Sequence, residues 1–130
     1  MFITYWAYHN GQVVKGKSFK SGTGVLHGPI LWYDRSGRLE QEDNYLDGKA
    51  HGRWVEYSSG GQIRLERHYK NGKLNRKWVR NYGAGQGYRE GEYRDGKKEG
   101  PFVSYDESGN VIDRDIYEGG ECIDQCEGND

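Results

Sequence analysis

Apolar and polar residues alternate along short segments of the chain, and turn residues separate these segments. Ile63, Leu65 and Tyr69 stand two or four residues apart, and the charged Arg64 and Glu66 lie between them. This period of two places the two sets on opposite faces of a β-strand. A cluster of serine and glycine just before Ile63 is typical of a hairpin turn. The pattern therefore predicts antiparallel hairpins with strands of about five residues.

The strand and turn signals recur with a period of 24 residues. A tyrosine ends the second strand of four successive units, as Tyr45, Tyr69, Tyr93 and Tyr117. A leading glycine and an aromatic residue two positions after it recur as Gly28, Gly52 and Gly100, and as Trp54, Trp78 and Phe102. Between the units stand Asp-Gly or Asn-Gly pairs, which favour two-residue turns because both residues tolerate positive φ. Repeats at a fixed interval predict one hairpin per unit, with the hairpins side by side.

An irregular unit precedes the regular ones: Gly11, Phe19 and Gly22 keep the spacing of a unit, but the next link is longer. About five units of two strands each predict roughly nine or ten strands in a meander. Frequent glycine and the lack of a sustained 3.6-residue period argue against helices. The predicted fold is all-β, an extended twisted antiparallel sheet of about five hairpin repeats. We assign residues 1–121 to this domain and residues 122–130 to an acidic C-terminal tail.

The composition explains how such a sheet would be held together. Charged residues make up 30% of the chain and hydrophobic ones only 33%, which is too few aliphatic side chains for a large core. Aromatic residues reach 14%, however, and disordered chains are poor in them. We expect the recurring rings to stack along the sheet, where each cross-strand pair contributes about 0.2–1 kcal/mol. No apolar run approaches the roughly 20 residues of a transmembrane helix.

Charge is distributed unevenly, although the formal net charge is only −1. A basic stretch is formed by Arg64, Arg67, Lys70, Lys73, Arg76, Lys77 and Arg80. The C-terminal region is acidic through Glu118, Glu121, Asp124, Glu127 and Asp130. Each set is either an ordinary solvated face or a docking surface, the basic set for an acidic partner and the acidic set for a basic one. We favour the tail with the last hairpin, because residues outside a repeat are free to be specific for a partner.

Candidate catalytic and metal-binding groups are few. His27 and His51 occupy equivalent positions in successive units and could in principle form a two-histidine metal site. A repeated turn residue explains them better, because the equivalent Asn75 and Glu99 do not complete a ligand set. No serine or cysteine is matched to a base by a motif. We therefore expect no enzyme activity, no metal and no cofactor.

The sequence leaves open whether Cys122 and Cys126, the two cysteines, form a disulfide.

Two further features have ordinary structural explanations. The glycine-rich residues 83–91 contain G-x-G, but a strand follows them where a phosphate-binding loop needs a helix, so we predict a hairpin loop or bulge. Aromatic and basic residues interleave as in proteins that bind single-stranded nucleic acid, yet the aromatic positions belong to the repeat. We therefore expect no nucleic acid as partner. We also expect no membrane, because the chain has no basic amphipathic helix and its net charge is slightly negative.

The repeat resembles the MORN repeat, and more closely its bacterial variant, found in YwqK-like antitoxin components of toxin–antitoxin systems. The matching residues are Gly52, Trp54, Tyr57, Gly61, Tyr69, Gly72 and Lys73, with their counterparts one period away. The resemblance covers about residues 5–121. The fourth unit departs from the motif through Arg76, Asn81 and the glycine-rich residues 83–87, so we expect it to be irregular.

The resemblance implies a MORN-type β-sheet and a protein that binds others without catalysis. It implies an antitoxin or immunity protein that binds and neutralises a cognate toxin. The alternative is a structural or scaffolding module that mediates protein assembly or membrane association. We expect a monomer or a weak homo-oligomer. Because the N-terminal residues lack the pattern of a signal peptide, the expected location is cytoplasmic, with a periplasmic or secreted location open if a leader has been removed.

Overall fold

The structure, a computed structural model, describes residues 2–9, 12–20, 25–83 and 85–126, and for residues 2–9 and 12–20 it describes the backbone alone. The described residues form one antiparallel sheet of 14 strands and contain no helix. The strands are β1 (Phe2–His9), β2 (Gln12–Lys20), β3 (Val25–Leu26), β4 (Gly28–Tyr33), β5 (Leu39–Leu46), β6 (Lys49–Ala50), β7 (Gly52–Tyr57), β8 (Ile63–Lys70), β9 (Lys73–Leu74), β10 (Arg76–Asn81), β11 (Tyr88–Arg94), β12 (Lys97–Tyr105), β13 (Val111–Glu118) and β14 (Glu121–Asp124). The predicted all-β hairpin fold is confirmed.

The sheet is a meander in chain order. Eleven strands lie side by side as β1-β2-β4-β5-β7-β8-β10-β11-β12-β13-β14, while β3, β6 and β9 pair beside this path with β2, β5 and β8. The number of strands on the path in the described residues exceeds the predicted nine or ten, because β14 adds one. This strand crosses the predicted domain boundary at residue 121 and pairs with the end of β13. Part of the segment predicted as a tail therefore belongs to the sheet.

Two-residue turns connect the units, as their Asp-Gly and Asn-Gly pairs predicted. Leu46 pairs with Lys49 across the turn formed by Asp47 and Gly48, whose φ angles are 49° and 84°. Positive φ at both central residues is the geometry whose twist matches that of antiparallel strands. The same φ pair recurs at the turns Asn71-Gly72 and Asp95-Gly96.

The leading position of each unit is a backbone bend with positive φ. Gly28, Gly52 and Gly100 have φ values of 91°, 94° and 78°. In the fourth unit the same bend is made by Arg76 with φ of 70°. This conformation costs a residue with a side chain about 1–2 kcal/mol, because its Cβ crowds the carbonyl oxygen. The repeat geometry is thus imposed on Arg76 by its neighbours.

The aromatic residues of the repeat contact one another across the strands. The rings of Tyr45 and Trp54 lie 5.2 Å apart, and those of Trp54 and Tyr69 lie 5.0 Å apart. The rings are tilted rather than stacked in parallel, with angles of 60° and 55° between their planes. Tilted and edge-on arrangements suit the quadrupoles of aromatic rings.

A second ring cluster centres on Phe102, which is fully buried. Its ring contacts those of Trp78, Tyr93 and Tyr117 at 5.3–5.8 Å. Gly91 makes room for it, since a Cβ at that position would overlap the ring. The predicted aromatic side chains therefore form most of the apolar packing in the C-terminal half of the sheet.

Charged side chains are also buried in this sheet. Arg89 and Asp115 are 5% and 1% exposed, and the Nη2 of Arg89 donates to the Oδ2 of Asp115 at 3.0 Å. The Nη1 of Arg89 donates to the Oγ of Ser104 at 2.8 Å. Breaking a buried pair of this kind costs about 3–5 kcal/mol, because the remaining charge is left without a partner. This pair fixes β11 against β12 and β13.

The strained bend at Arg76 gives a testable prediction. The substitution Arg76→Gly removes the strain of the positive φ. Glycine also has more freedom in the unfolded chain, which offsets part of this gain. We therefore expect the unfolding free energy to rise by about 0.5–1 kcal/mol. The reverse change, Gly100→Arg, is the matched control, because a Cβ at Gly100 meets no atom within 4 Å and only the backbone is affected. It should lose a similar amount. Urea unfolding measures both, and equal stability of all three proteins contradicts the assignment of strain.

Candidate functional site

The seven residues of the predicted basic stretch do not form one surface. Alternation along β8 and β10 divides them between the faces of the sheet. Leu65 is the register partner of Arg80, so Arg67 and Arg80 share a face while Arg64 and Lys70 lie on the other. Lys70 and Lys73 flank a two-residue turn, and Arg76 forms the bend before β10.

Two members of the basic stretch have partners within the sheet. The guanidinium of Arg67 lies 5.8 Å from the Trp54 ring centroid and 5.7 Å from that of Tyr69, and its Nη2 donates to Glu56 at 3.2 Å. The Nζ of Lys77 lies 3.9 Å from Glu66. Arg67 thus stabilises the aromatic core, a role that its position in a run of basic residues did not indicate.

Although Arg64 and Arg80 lie on opposite faces of the sheet, both line the groove where two hairpins diverge. Backbone pairing between β8 and β10 stops at Leu65 and Arg80. Beyond this point the side-chain Nδ2 of Asn81 spans the gap and donates to the carbonyl oxygen of Ile63 at 2.8 Å. The gap opens into a groove of about 480 Å³ lined by Glu56, Ser58, Arg64, Leu65, Arg80, Asn81, Tyr82 and Gly83. We call this the inter-hairpin groove.

The loop beside the groove differs from the other hairpin loops. In the neighbouring unit the register between β7 and β8 shifts by one residue next to the loop, so that Tyr57 pairs with Ile63. Between β10 and β11 the register has no such shift, and the last pair is Asn81 with Tyr88. The residue that the shift would take up lies in the loop instead, which is one residue longer. This loop closes with Tyr82 N donating to Gly87 O at 3.1 Å. The predicted irregularity of the fourth unit is therefore a longer loop, as expected for the glycine-rich segment.

Tyr82 is the aromatic residue of this loop, and 43% of its surface is exposed. The equivalent positions in the neighbouring units are Ser58 and Asp106, which accept hydrogen bonds from backbone N–H groups of their own loops. The guanidinium of Arg80 lies 5.4 Å from the Tyr82 ring centroid. An exposed tyrosine beside an arginine has therefore replaced a residue that elsewhere stabilises the loop.

The predicted acidic residues lie at the end of the sheet. Glu118 and Glu121 are register partners across the last turn, and Asp124 is the partner of Ile116. Glu127 and Asp130 lie outside the described residues. The sequence left open whether Cys122 and Cys126 are bonded. In the structure they form a disulfide, with Cα atoms 5.8 Å apart.

Two carboxylates in the sheet have shifted pKa values. Burial would raise the pKa of Glu66, but hydrogen bonds from His68 and Arg53 outweigh it and hold the pKa below its ordinary value. The contacts are 2.9 Å to His68 Nε2 and 3.3 Å to Arg53 Nη2. Burial raises the pKa of Asp43, and hydrogen bonds from Gln41 and Trp32 only partly oppose it. Sequence reasoning identified neither site. Gln41 and His68 lie two residues away on the same strand, whereas Trp32 and Arg53 contribute from the neighbouring strands.

The repeated histidines have a structural role. The backbone N–H of Asp47 donates to Nδ1 of His27, and that of Asn71 donates to Nδ1 of His51, both at 3.3 Å. Each ring thus holds the turn of its own unit. In the described part of the chain, no three histidine, cysteine or acidic side chains lie together as metal ligands.

No helix that could cross a membrane occurs among residues 2–9, 12–20, 25–83 and 85–126.

Comparison with protein families supports the repeat. The family described as MORN repeat variant matches residues 26–47 and 50–71, two consecutive hairpin units of this sheet. The resemblance to MORN repeats is confirmed for these two units. The match concerns the repeat and does not extend to an antitoxin function. A comparison with curated proteins finds no match to the chain.

The Glu66 cluster gives a pH prediction. Because the folded pKa of Glu66 is lowered, its contribution to stability is complete above the ordinary carboxyl pKa and is lost as the pH falls through the folded value. We expect Glu66→Gln to cost about 0.5–1 kcal/mol at pH 7 and progressively less in acid. Glu107→Gln, in an exposed loop, is the control and should be neutral. Urea unfolding between pH 7 and pH 3 measures both; a loss for Glu66→Gln that is independent of pH contradicts the assignment.

Proposed function

We propose that the protein is a non-enzymatic binding module, and specifically an antitoxin or immunity protein that binds and neutralises a protein toxin. The match of two units to the MORN repeat variant supports the general part, a repeat-based module for binding or scaffolding. The specific part comes from the resemblance of the whole repeat to the bacterial variant. The proposal includes no cofactor, nucleic acid or membrane.

One observation carries the choice of binding surface: departures from the repeat meet at the inter-hairpin groove. Arg80, Asn81 and Tyr82 occupy positions that hold other residues in the neighbouring units, and the loop after them is one residue longer. The repeated residues maintain the sheet. Residues that break the repeat, and that remain exposed, are available for a partner.

The chemistry of the groove suits a protein partner. Tyrosine and arginine are enriched at the energetic centres of interfaces, where one contributes a large flat surface and the other a planar set of donors. Glu56 lies in the groove but is bound to Arg67, so Arg64 and Arg80 supply a positive potential there. We infer that the partner inserts a carboxylate side chain. The sheet and loop around the groove offer space for the roughly 800 Å² per partner of a standard interface.

The acidic residues Glu118, Glu121 and Asp124 form a second candidate surface, for a basic partner. They lie on or beside β13 and β14, and the groove lies between β8 and β10, so β11 and β12 separate the two surfaces. The two surfaces can therefore be tested separately. The cytoplasmic location stays a prediction, and the disulfide of Cys122 instead favours an oxidising compartment.

The functional test is co-expression with the product of a neighbouring open reading frame. We expect the partner to arrest growth alone, to be neutralised by this protein, and to co-purify with it. Growth arrest that this protein does not relieve, with no complex formed, contradicts the antitoxin function.

The surface test uses the same complex. We expect Arg64→Glu/Arg80→Glu and Tyr82→Ala each to weaken binding by about 30-fold, the loss typical of an interface centre. The matched control is Lys70→Glu/Lys73→Glu, which changes the same charge at the other end of β8 and should leave affinity unchanged. Glu118→Lys/Glu121→Lys tests the acidic surface. Loss of binding only in this last variant would assign the site to the last hairpin, and titration calorimetry measures all four.

A further inference from the structure

The units of the sheet are joined by one recurring contact. In each unit the first half of the second strand pairs with the first strand of the next unit. The register partners are Glu42 with Val55, Glu66 with Val79, and Glu90 with Val103, 24 residues apart along the chain. A joint between units thus needs two halves, the outer edge of a second strand and the outer edge of a first strand.

Among the described residues, one half of such a joint is unpaired at the C-terminal end of the sheet. β13 is a second strand, and β14 pairs only with Ile116, Tyr117 and Glu118. Among the described residues, no strand lies beside Val111–Asp115 on this side. Val111 and Ile112 are 59% and 64% exposed, among the most exposed large apolar residues in the described part of the chain. The backbone groups of this stretch are available to another strand.

At the N-terminal end, the complementary half is unpaired in the part of the chain that the structure describes. β1 pairs with β2 as a first strand pairs with its second strand, and no described residue pairs with its other edge. Its sequence, Phe2–His9, contains no Lys, Arg, Asp, Glu or Pro. Those residue types protect exposed edges from pairing, so β1 is open to pairing.

We propose that the two ends join between molecules, so that β1 of a second copy of this chain adds to Val111–Asp115 of the first. The new joint repeats the contact between units and continues the meander across two molecules. Pairing of this stretch with itself is disfavoured, since it brings Asp113 and Asp115 of both copies together and like charges on adjacent strands repel. The inference is independent of the inter-hairpin groove, which lies in the middle of the sheet.

A head-to-tail contact has a distinct consequence. Its two halves are different surfaces, so each added molecule presents a new unpaired end. The assembly therefore grows past the dimer, as an open series or, where the rotation between copies closes, as a ring. A symmetric contact would stop at the dimer. The distribution of masses therefore distinguishes this joint from any two-fold dimer.

Sedimentation equilibrium of the full chain tests the proposal. We expect the average mass to rise from the 15.0 kDa monomer beyond that of a dimer as concentration approaches about 1 mM, where even a weak joint is populated. Val111→Lys/Ile112→Lys should weaken association by at least about tenfold, because lysines block strand addition. Ile123→Lys is the control, exposed to a similar 58% but outside the open stretch. It should associate like the wild type.

Mixing gives the second readout. Thr4→Lys blocks the β1 end, and circular dichroism checks that the sheet persists. Each blocked variant alone should be monomeric, whereas the mixture should form dimers and nothing larger, since one intact joint remains. A monomer at every concentration, or a wild-type mass that stops at the dimer, overturns the proposal. Should Thr4→Lys unfold, the series with Val111→Lys/Ile112→Lys decides alone.

Discussion

Cross-strand pairing is the interaction on which the rest of this structure depends. The described residues form a single sheet with no helix or second sheet to cover it. Phe102 and Val55 are nevertheless fully buried, because side chains of adjacent strands on the same sheet surround them. Each hairpin therefore obtains its apolar contacts from its neighbours, and stability is a sum of contacts between adjacent units.

The same constraint explains how so polar a chain stays folded. Aliphatic side chains are few, so charged groups enter the interior with partners. Arg89 bonds to Asp115 and Ser104, and Arg67 lies between two rings and Glu56. Arginine suits these sites, since its flat guanidinium packs on aromatic faces while its N–H groups remain bonded. The buried Arg89–Asp115 pair and the half-buried Arg67 thus add to the packing that the rings begin.

A sheet built by repetition also explains where the two proposed surfaces lie. Contacts between adjacent units constrain the residue at most strand positions. Loop positions and the ends of the sheet make fewer such contacts. The inter-hairpin groove arises where one unit carries a longer loop, and the free edges arise where the repetition stops. Both are consequences of the architecture, and both offer backbone or side-chain groups that the sheet itself does not use.

The sequence alone determined the local structure. Asp-Gly and Asn-Gly pairs set the turns, leading glycines set the bends, and alternation set which side chains share a face, because each depends on the φ preferences or the period of a few adjacent residues. Tertiary structure decided which strands meet and therefore what each charge does. Arg67 and Arg80 look alike in a basic run, yet one lies against Trp54 and the other faces the groove. The contacts of Asp43 with Trp32 and of Arg89 with Asp115, and the strand formed by Glu121–Asp124, likewise depend on residues brought together across strands, which no local pattern specifies.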